Sequence, residues 1–118
     1  MNEKRGIKIG VLGGIGPEAT ALFYKKLILQ IQKELEIQSN TDFPQIIINS
    51  IPAPELVGNK IKEKELGPYV KGLKELDSMG PDFIIMVCNT IHLYLDYLQG
   101  HVKTPILNLR EEIRKELI

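Results

Sequence analysis

Short apolar runs, each too brief for a helix, alternate along this chain with longer stretches of helical periodicity. That alternation is the strongest constraint on its fold. Ile7 to Leu12 reads as a short buried strand closed by Gly13-Gly14-Ile15-Gly16. Pro17 then opens a helix, because its missing N–H would have had no intrahelical partner. The helix runs to about Leu35, with Leu27, Ile28, Ile31 and Leu35 on one face and Lys25, Lys26, Gln30 and Lys33 opposite. Ser39 to Asp42 is expected to be a loop. Ile46-Ile47-Ile48 is a second strand, apolar on both faces as a central parallel strand should be. Pro52 and Pro54 exclude regular structure after it, and Leu56 to Lys62 is ambiguous.

Leu66, Val70, Leu73 and Leu76 mark another amphipathic helix, stopped by Gly80-Pro81. A strand from Phe83 to Val87 follows, then a helix carrying Leu93, Leu95 and Leu98, a strand at Pro105-Ile106-Leu107, and a helix from about Arg110. The predicted order is βαβαβαβα. Right-handed crossovers between parallel strands then place helices on both faces. The expected fold is a single Rossmann-like three-layer α/β lobe with a mostly parallel four-stranded sheet.

Composition removes several function classes. The 118 residues hold 15 basic and 15 acidic side chains, which argues against a nucleic-acid surface or a polybasic membrane patch. With no tryptophan, platforms for base stacking are not expected. The first apolar run is too short for a signal peptide or a membrane span. A single cysteine cannot close an internal disulfide, which suits a reducing cytoplasm. A length of 118 residues supports one core.

The lone cysteine, Cys88, falls where the third strand hands over to Asn89-Thr90-Ile91-His92. In a parallel sheet that switch marks the carboxyl edge, where ligands bind. A thiol beside a helix start is in a place that can lower its pKa, although a free cysteine also serves as a small core hydrophobe. Three strand ends should meet at this edge: Gly13 to Gly16, Asn49-Ser50 and Cys88 to Thr90. No metal-ligand spacing links them, and His92 and His101 stand singly. Gly14 to Ala19 formally fits the dinucleotide fingerprint. Glu18 at the helix start and the lack of an acidic residue ending the second strand argue against it. The glycines read as a tight turn with helix capping, as a lining of backbone N–H groups and Ile15 around a small molecule, or as both together.

These residues resemble the aspartate/glutamate racemase family, in its aspartate racemase branch. Gly13-Gly14-Ile15-Gly16-Pro17-Glu18-Ala19-Thr20 is similar to the family's Gly-Gly-Met-Gly-Pro-Glu-Ala-Thr, and Cys88-Asn89-Thr90-Ile91-His92 to its Cys-Asn-Thr-Ala-His. The resemblance implies a racemase that uses no cofactor and no metal, acting on an amino acid held between two similar lobes. One cysteine from each lobe would flank the substrate Cα. It implies Cys88 as the acid/base of the first lobe, Asn89 and Thr90 as holders of the α-carboxylate, and Ile15, Asn49 and Ser50 as the substrate border. His92, one helical turn on, could orient or charge-stabilise the thiolate, or could be satisfied by backbone; His101 is expected to be exposed.

The chain departs from that pattern at two places. It holds no second cysteine, and Glu55-Leu56 stands where the family commonly has an acidic residue and an arginine able to meet a side-chain carboxylate. Residues 1–118 are therefore expected to be the N-terminal lobe, with the second lobe absent from this chain. The uncapped helix ending at Ile118 fits either a natural terminus or a cut before a second domain. Two alternatives stay open beside the racemase lobe: a homo-oligomer in which half-enzymes pair, and a non-catalytic small-molecule binding or interaction module.

Overall fold

The computed structural model describes residues 6–54, 63–87 and 94–107. Four parallel strands form one sheet in the order β2-β1-β3-β4. They are β1 (Lys8–Gly13), β2 (Gln45–Ser50), β3 (Phe83–Met86) and β4 (Ile106–Leu107). The helices are α1 (Pro17–Glu34), α2 (Gly67–Asp77) and α3 (Leu95–Gln99). The Rossmann-like α/β layering is as expected, and the sheet is parallel throughout. The ambiguous 56–62 stretch lies outside the described residues, as do Leu93 and the helix from Arg110.

Strand alternation divides the core into two halves. Ile9, Val11, Phe83, Ile85 and Leu107 point to one face, where Leu27 and Ile31 of α1 cover them. Leu12, Ile84, Met86 and Ile106 point to the other, under Tyr69, Leu73 and Leu76 of α2 and Leu98 of α3. The first connection runs from β1 outward to β2 with α1 on one face. The second passes back over β1 to β3 with α2 on the other. Reversing the direction of travel reverses the covered face, because the crossovers keep one hand. The reversal leaves a switch point between the carboxyl ends of β1 and β3, the usual ligand crevice of an open parallel sheet.

Two expectations are corrected here. The Ile46–Ile48 strand is not central: among the described residues β2 pairs only with β1, and Ile48 is 38% exposed. Its apolar character serves both helical layers, with Ile46 packed in the core half under α1 and Ile47 in the half under α2. The 39–42 stretch is more ordered than a loop, since Asn40–Asp42 form a 3-10 turn. Asp42 Oδ2 accepts from the N–H groups of Gln38 (2.9 Å) and Ser39 (3.2 Å), and Ser39 caps the turn in return.

The approach to β4 is held by side chains. Gln99 Nε2 donates to the Thr104 carbonyl at 2.9 Å, and its Oε1 accepts from Ile106 N–H at 2.7 Å. Asp77, at the end of α2, accepts from the hydroxyl and N–H of Thr104 and from the Lys103 N–H. The Thr104 hydroxyl is the main cause holding the Asp77 carboxyl below its ordinary value, with partial desolvation opposing it and the backbone donors adding to it. A folded-state pKa below the unfolded one stabilises above the unfolded carboxylate value of about 3.9 and is lost as pH falls through the folded value. Asp77→Asn should therefore cost about 1 kcal/mol at pH 7, a size set by exposed charge-assisted hydrogen bonds. Urea unfolding at a series of pH values should show that gap closing as the acid limit is approached.

Candidate functional site

The register of the sheet brings two loops and the end of β3 to one level. Gly13 is opposite Ser50, Leu12 is opposite Met86, and Val87 N–H donates to the Leu12 carbonyl at 2.9 Å. Val87 is the last residue described before Cys88. The predicted convergence therefore holds for Gly13 to Gly16 and Asn49-Ser50 with the end of β3. Cys88, Asn89, Thr90 and His92 lie outside the described residues.

The glycine turn is built by close packing rather than by side-chain caps. Gly14 has φ +104°, a conformation that L side chains rarely adopt, and a Cβ there would run into the Ile51 backbone. Ile51 N–H in turn donates to the Gly13 carbonyl at 2.8 Å, so the chain leaving β2 is held against the turn leaving β1. Thr20, buried on α1, accepts from the Gly14 N–H through Oγ1 at 2.9 Å. This threonine was not among the expected site residues. Its signal is the hydroxyl six positions after a glycine that needs a partner for its N–H.

One reading of the glycines is thereby established: they make a tight turn, and the Gly14 N–H is spent on Thr20. The first turn of α1 has no side-chain cap, with Gly16 at the N-cap and exposed Glu18 beside it. Ile15 is half-buried and packs against the core half beneath α2.

Asn49 and Ser50 differ sharply in surroundings. The Asn49 amide donates to the Gly72 carbonyl at 3.1 Å and to Glu75 Oε1 at 3.2 Å, tying the end of β2 to α2. Both amide hydrogens are engaged, which leaves Oδ1 as the group able to meet another molecule. Gly72 makes this approach possible: a Cβ there would sit 2.8 Å from Leu12 and 3.0 Å from Ile51. Ser50 is exposed. Beyond it, the hydroxyl of fully buried Tyr69 donates to the Pro54 carbonyl at 2.7 Å and anchors the proline segment. Asn49, Ser50 and Pro52 also border an open pocket of about 510 Å³ shared with Lys71 and Glu75 of α2.

His101 is half-buried rather than exposed, with Nδ1 2.9 Å from the Tyr97 carbonyl and its ring 4.8 Å from that of Tyr97. It follows α3, the connection that returns to the start of β4, and so lies away from the carboxyl edge. Among the described residues no group of three His, Cys, Asp or Glu side chains could hold a metal ion. Among the same residues no helix is long and apolar enough to cross a membrane.

Because conformation and packing both require glycine at position 14, Gly14→Ala should destabilise the lobe by about 2 kcal/mol or more. Gly16→Ala, with open space at its Cβ, should cost far less. Thermal or urea unfolding of the two variants side by side checks the contrast.

Comparison with known proteins places this arrangement. Residues 12–117 match the family model described as Asp/Glu/Hydantoin racemase. The broad specificity amino-acid racemase RacX of Bacillus subtilis (strain 168) is 34% identical over 110 residues, spanning 92% of this chain and 48% of the relative. A crystal structure of an aspartate racemase homologue from Pyrococcus horikoshii OT3 superposes with a TM-score of 0.69 at 31% identity, covering 86% of this chain and 44% of that one. The chain thus spans about half the length of the relatives it matches. On a family match that runs through nearly the whole chain, this protein belongs to the Asp/Glu/hydantoin racemase family.

Proposed function

We propose that this chain is one lobe of an amino-acid racemase that works by cysteine acid/base chemistry without a cofactor. Cys88 is its acid/base on one face of the substrate Cα. The observation that carries the reading is the common level of the Gly13–Gly16 turn, Asn49-Ser50 and Val87, the residue before Cys88, at the switch point of a parallel sheet. Family membership and the named activities of the two relatives support it.

The chemistry follows from the acidity of an amino-acid α-proton. Removing it puts charge on Cα and the adjoining carboxylate, so the site must supply fixed donors where that charge develops. Asn89 and Thr90 are the proposed donors to the α-carboxylate. Ile15 and Ser50 border the substrate, and Asn49 holds that border in place through α2 while offering Oδ1. The Cys88 thiolate takes the α-proton; a thiol begins near a pKa of about 8.5 and is readily brought closer to neutrality. His92 is proposed to support that thiolate.

Inversion requires a proton returned to the opposite face, and this sequence contains one cysteine. The second acid is therefore proposed to come from outside these 118 residues, from a second lobe or a second copy. Residues 1–118 correspond on this reading to the N-terminal lobe. A working thiolate also needs a reducing compartment, so the cytoplasm is the proposed location. Substrate preference is proposed to be broader than aspartate and glutamate, since Leu56 replaces the arginine that would meet a second carboxylate.

The test is exchange of the α-proton in heavy water, followed by mass spectrometry over a panel of D- and L-amino acids. The isolated chain should incorporate deuterium into at least one of them slowly, with inversion far behind exchange. Cys88→Ala should lower that exchange by at least about 100-fold, the scale of a lost general base. Exchange that survives the substitution, or none with any amino acid, contradicts the proposal.

A further inference from the structure

An asparagine amide has two orientations, which differ in whether its oxygen or its nitrogen is offered outward, and α2 selects one of them for Asn49. We infer that Glu75 is a positioning residue of this site, holding Asn49 so that its Oδ1 receives the α-ammonium of an amino-acid substrate. The identity of that ligand rests on the racemase reading above, whereas the orientation of the amide does not.

The selection is made by two groups that can only accept. The Gly72 carbonyl lies 3.1 Å from Asn49 Nδ2, and Glu75 Oε1 lies 3.2 Å from it. A carbonyl and a carboxylate have no hydrogen to give, so the reversed amide would set Oδ1 against two acceptors. Strand alternation puts Asn49 on the α2 face, between Ile47 and Ile51 of the same core half. Gly72 lets the helix come close enough for the first bond. A Cβ there would lie 2.8 Å from Leu12, 3.0 Å from Ile51 and 3.5 Å from Asn49 Nδ2 itself. Glycine inside a helix costs stability relative to alanine, and here it brings a helix carbonyl within reach of β2.

Glu75 supplies charge as well as direction. A carboxylate bonded to the amide N–H polarises the amide and makes Oδ1 a better acceptor. Asn49, exposed Ser50 and Glu75 border the open pocket of about 510 Å³ beyond the end of β2. Among the described lining residues the cation is Lys71, one helical turn before Glu75.

The span of the sheet fits an α-ammonium at Oδ1. The end of β3, where Cys88 follows, and the end of β2 are two strand spacings apart, about 10 Å. A sulfur in reacting distance of Cα, the bond from Cα to nitrogen and one hydrogen bond together span about 8 Å. An acceptor at the ammonium favours its charged form. That form keeps a positive charge beside the carbon losing its proton, where fixed electrostatics lower the barrier.

The test is an NMR titration of the nitrogen-15-labelled 118-residue chain with L-alanine and with propanoate, which is alanine without its ammonium. The free chain should show the Asn49 side-chain amide hydrogens in contact with Gly72 and Glu75. Alanine should bind at least about tenfold more tightly than propanoate, the scale of a hydrogen bond to a charged group, and should move the Asn49 and Ser50 signals. Glu75→Gln keeps an acceptor for the amide and removes the charge. It should weaken alanine about threefold or more and leave propanoate unchanged, a split that a merely structural tie would not give. Asn49→Leu should abolish the preference, and if that variant proves unfolded, Glu75→Gln decides. Lys71→Ala should leave alanine ahead of propanoate. Equal binding of the two ligands, no binding of alanine, signals that move only elsewhere, or an equal loss of both ligands in Glu75→Gln overturns the inference. Because the readout is binding, its failure leaves the exchange test of Cys88 standing, and a failed exchange test leaves the alanine preference to be read.

Discussion

Parallel pairing of β1 with strands on both sides determines the height at which every loop leaves the carboxyl edge. The Gly13 carbonyl accepts from Ile51, and the Leu12 carbonyl accepts from Val87. Consecutive residues of one strand thus fix the departure of both neighbouring chains. Shifting either neighbour by one residue would exchange its buried and exposed faces and empty one half of the core. The same burial of Ile9, Val11, Phe83 and Ile85 under α1, and of Leu12, Ile84 and Met86 under the other helices, therefore enforces the geometry of the edge. Core packing and site placement are consequences of one register.

On that frame, the borders of the site are held rigidly through residues that do not themselves face it. Thr20 satisfies the Gly14 N–H from inside α1, Tyr69 holds the Pro54 carbonyl from inside the core, and the Gly72 carbonyl receives the Asn49 amide. Each link joins a loop to a helix across a buried or half-buried contact, where a lost partner is costly. On the proposed reading, in which a small substrate meets a thiol at a fixed distance, such links serve the chemistry. Placement errors near one ångström are large on the scale of proton transfer.

Much of this was legible in the sequence because it rests on periodicity. The apolar runs at Ile7, Ile46 and Phe83 gave strands, and the spacing of Leu27, Ile31, Leu73 and Leu76 gave the buried faces of their helices. What remained hidden depends on partners distant in the chain. Ile46 to Ile48 looks central by composition, yet strand order is decided by the direction of the crossovers, which composition does not encode. Asn49 has the chemistry of a substrate ligand, and its bond to a carbonyl 23 residues away cannot be read from residue type. The turn at Asn40–Asp42 was recoverable, since Ser39 and Asp42 stand at capping-box spacing. His101 was misjudged because its cover comes from Tyr97, one turn earlier, through ring packing and a carbonyl contact.

The chemistry of inversion and the chemistry of exchange place different demands on such a lobe. Exchange needs one base, a stabilised carbanion and a thiol proton that equilibrates with water before it returns. Inversion needs a second donor already charged with a proton on the far side of the same carbon. On the proposed cysteine mechanism, a lobe with one thiol meets only the first demand. The second is a matter of what stands opposite that edge, where the crevice of a parallel sheet opens beyond the strand ends.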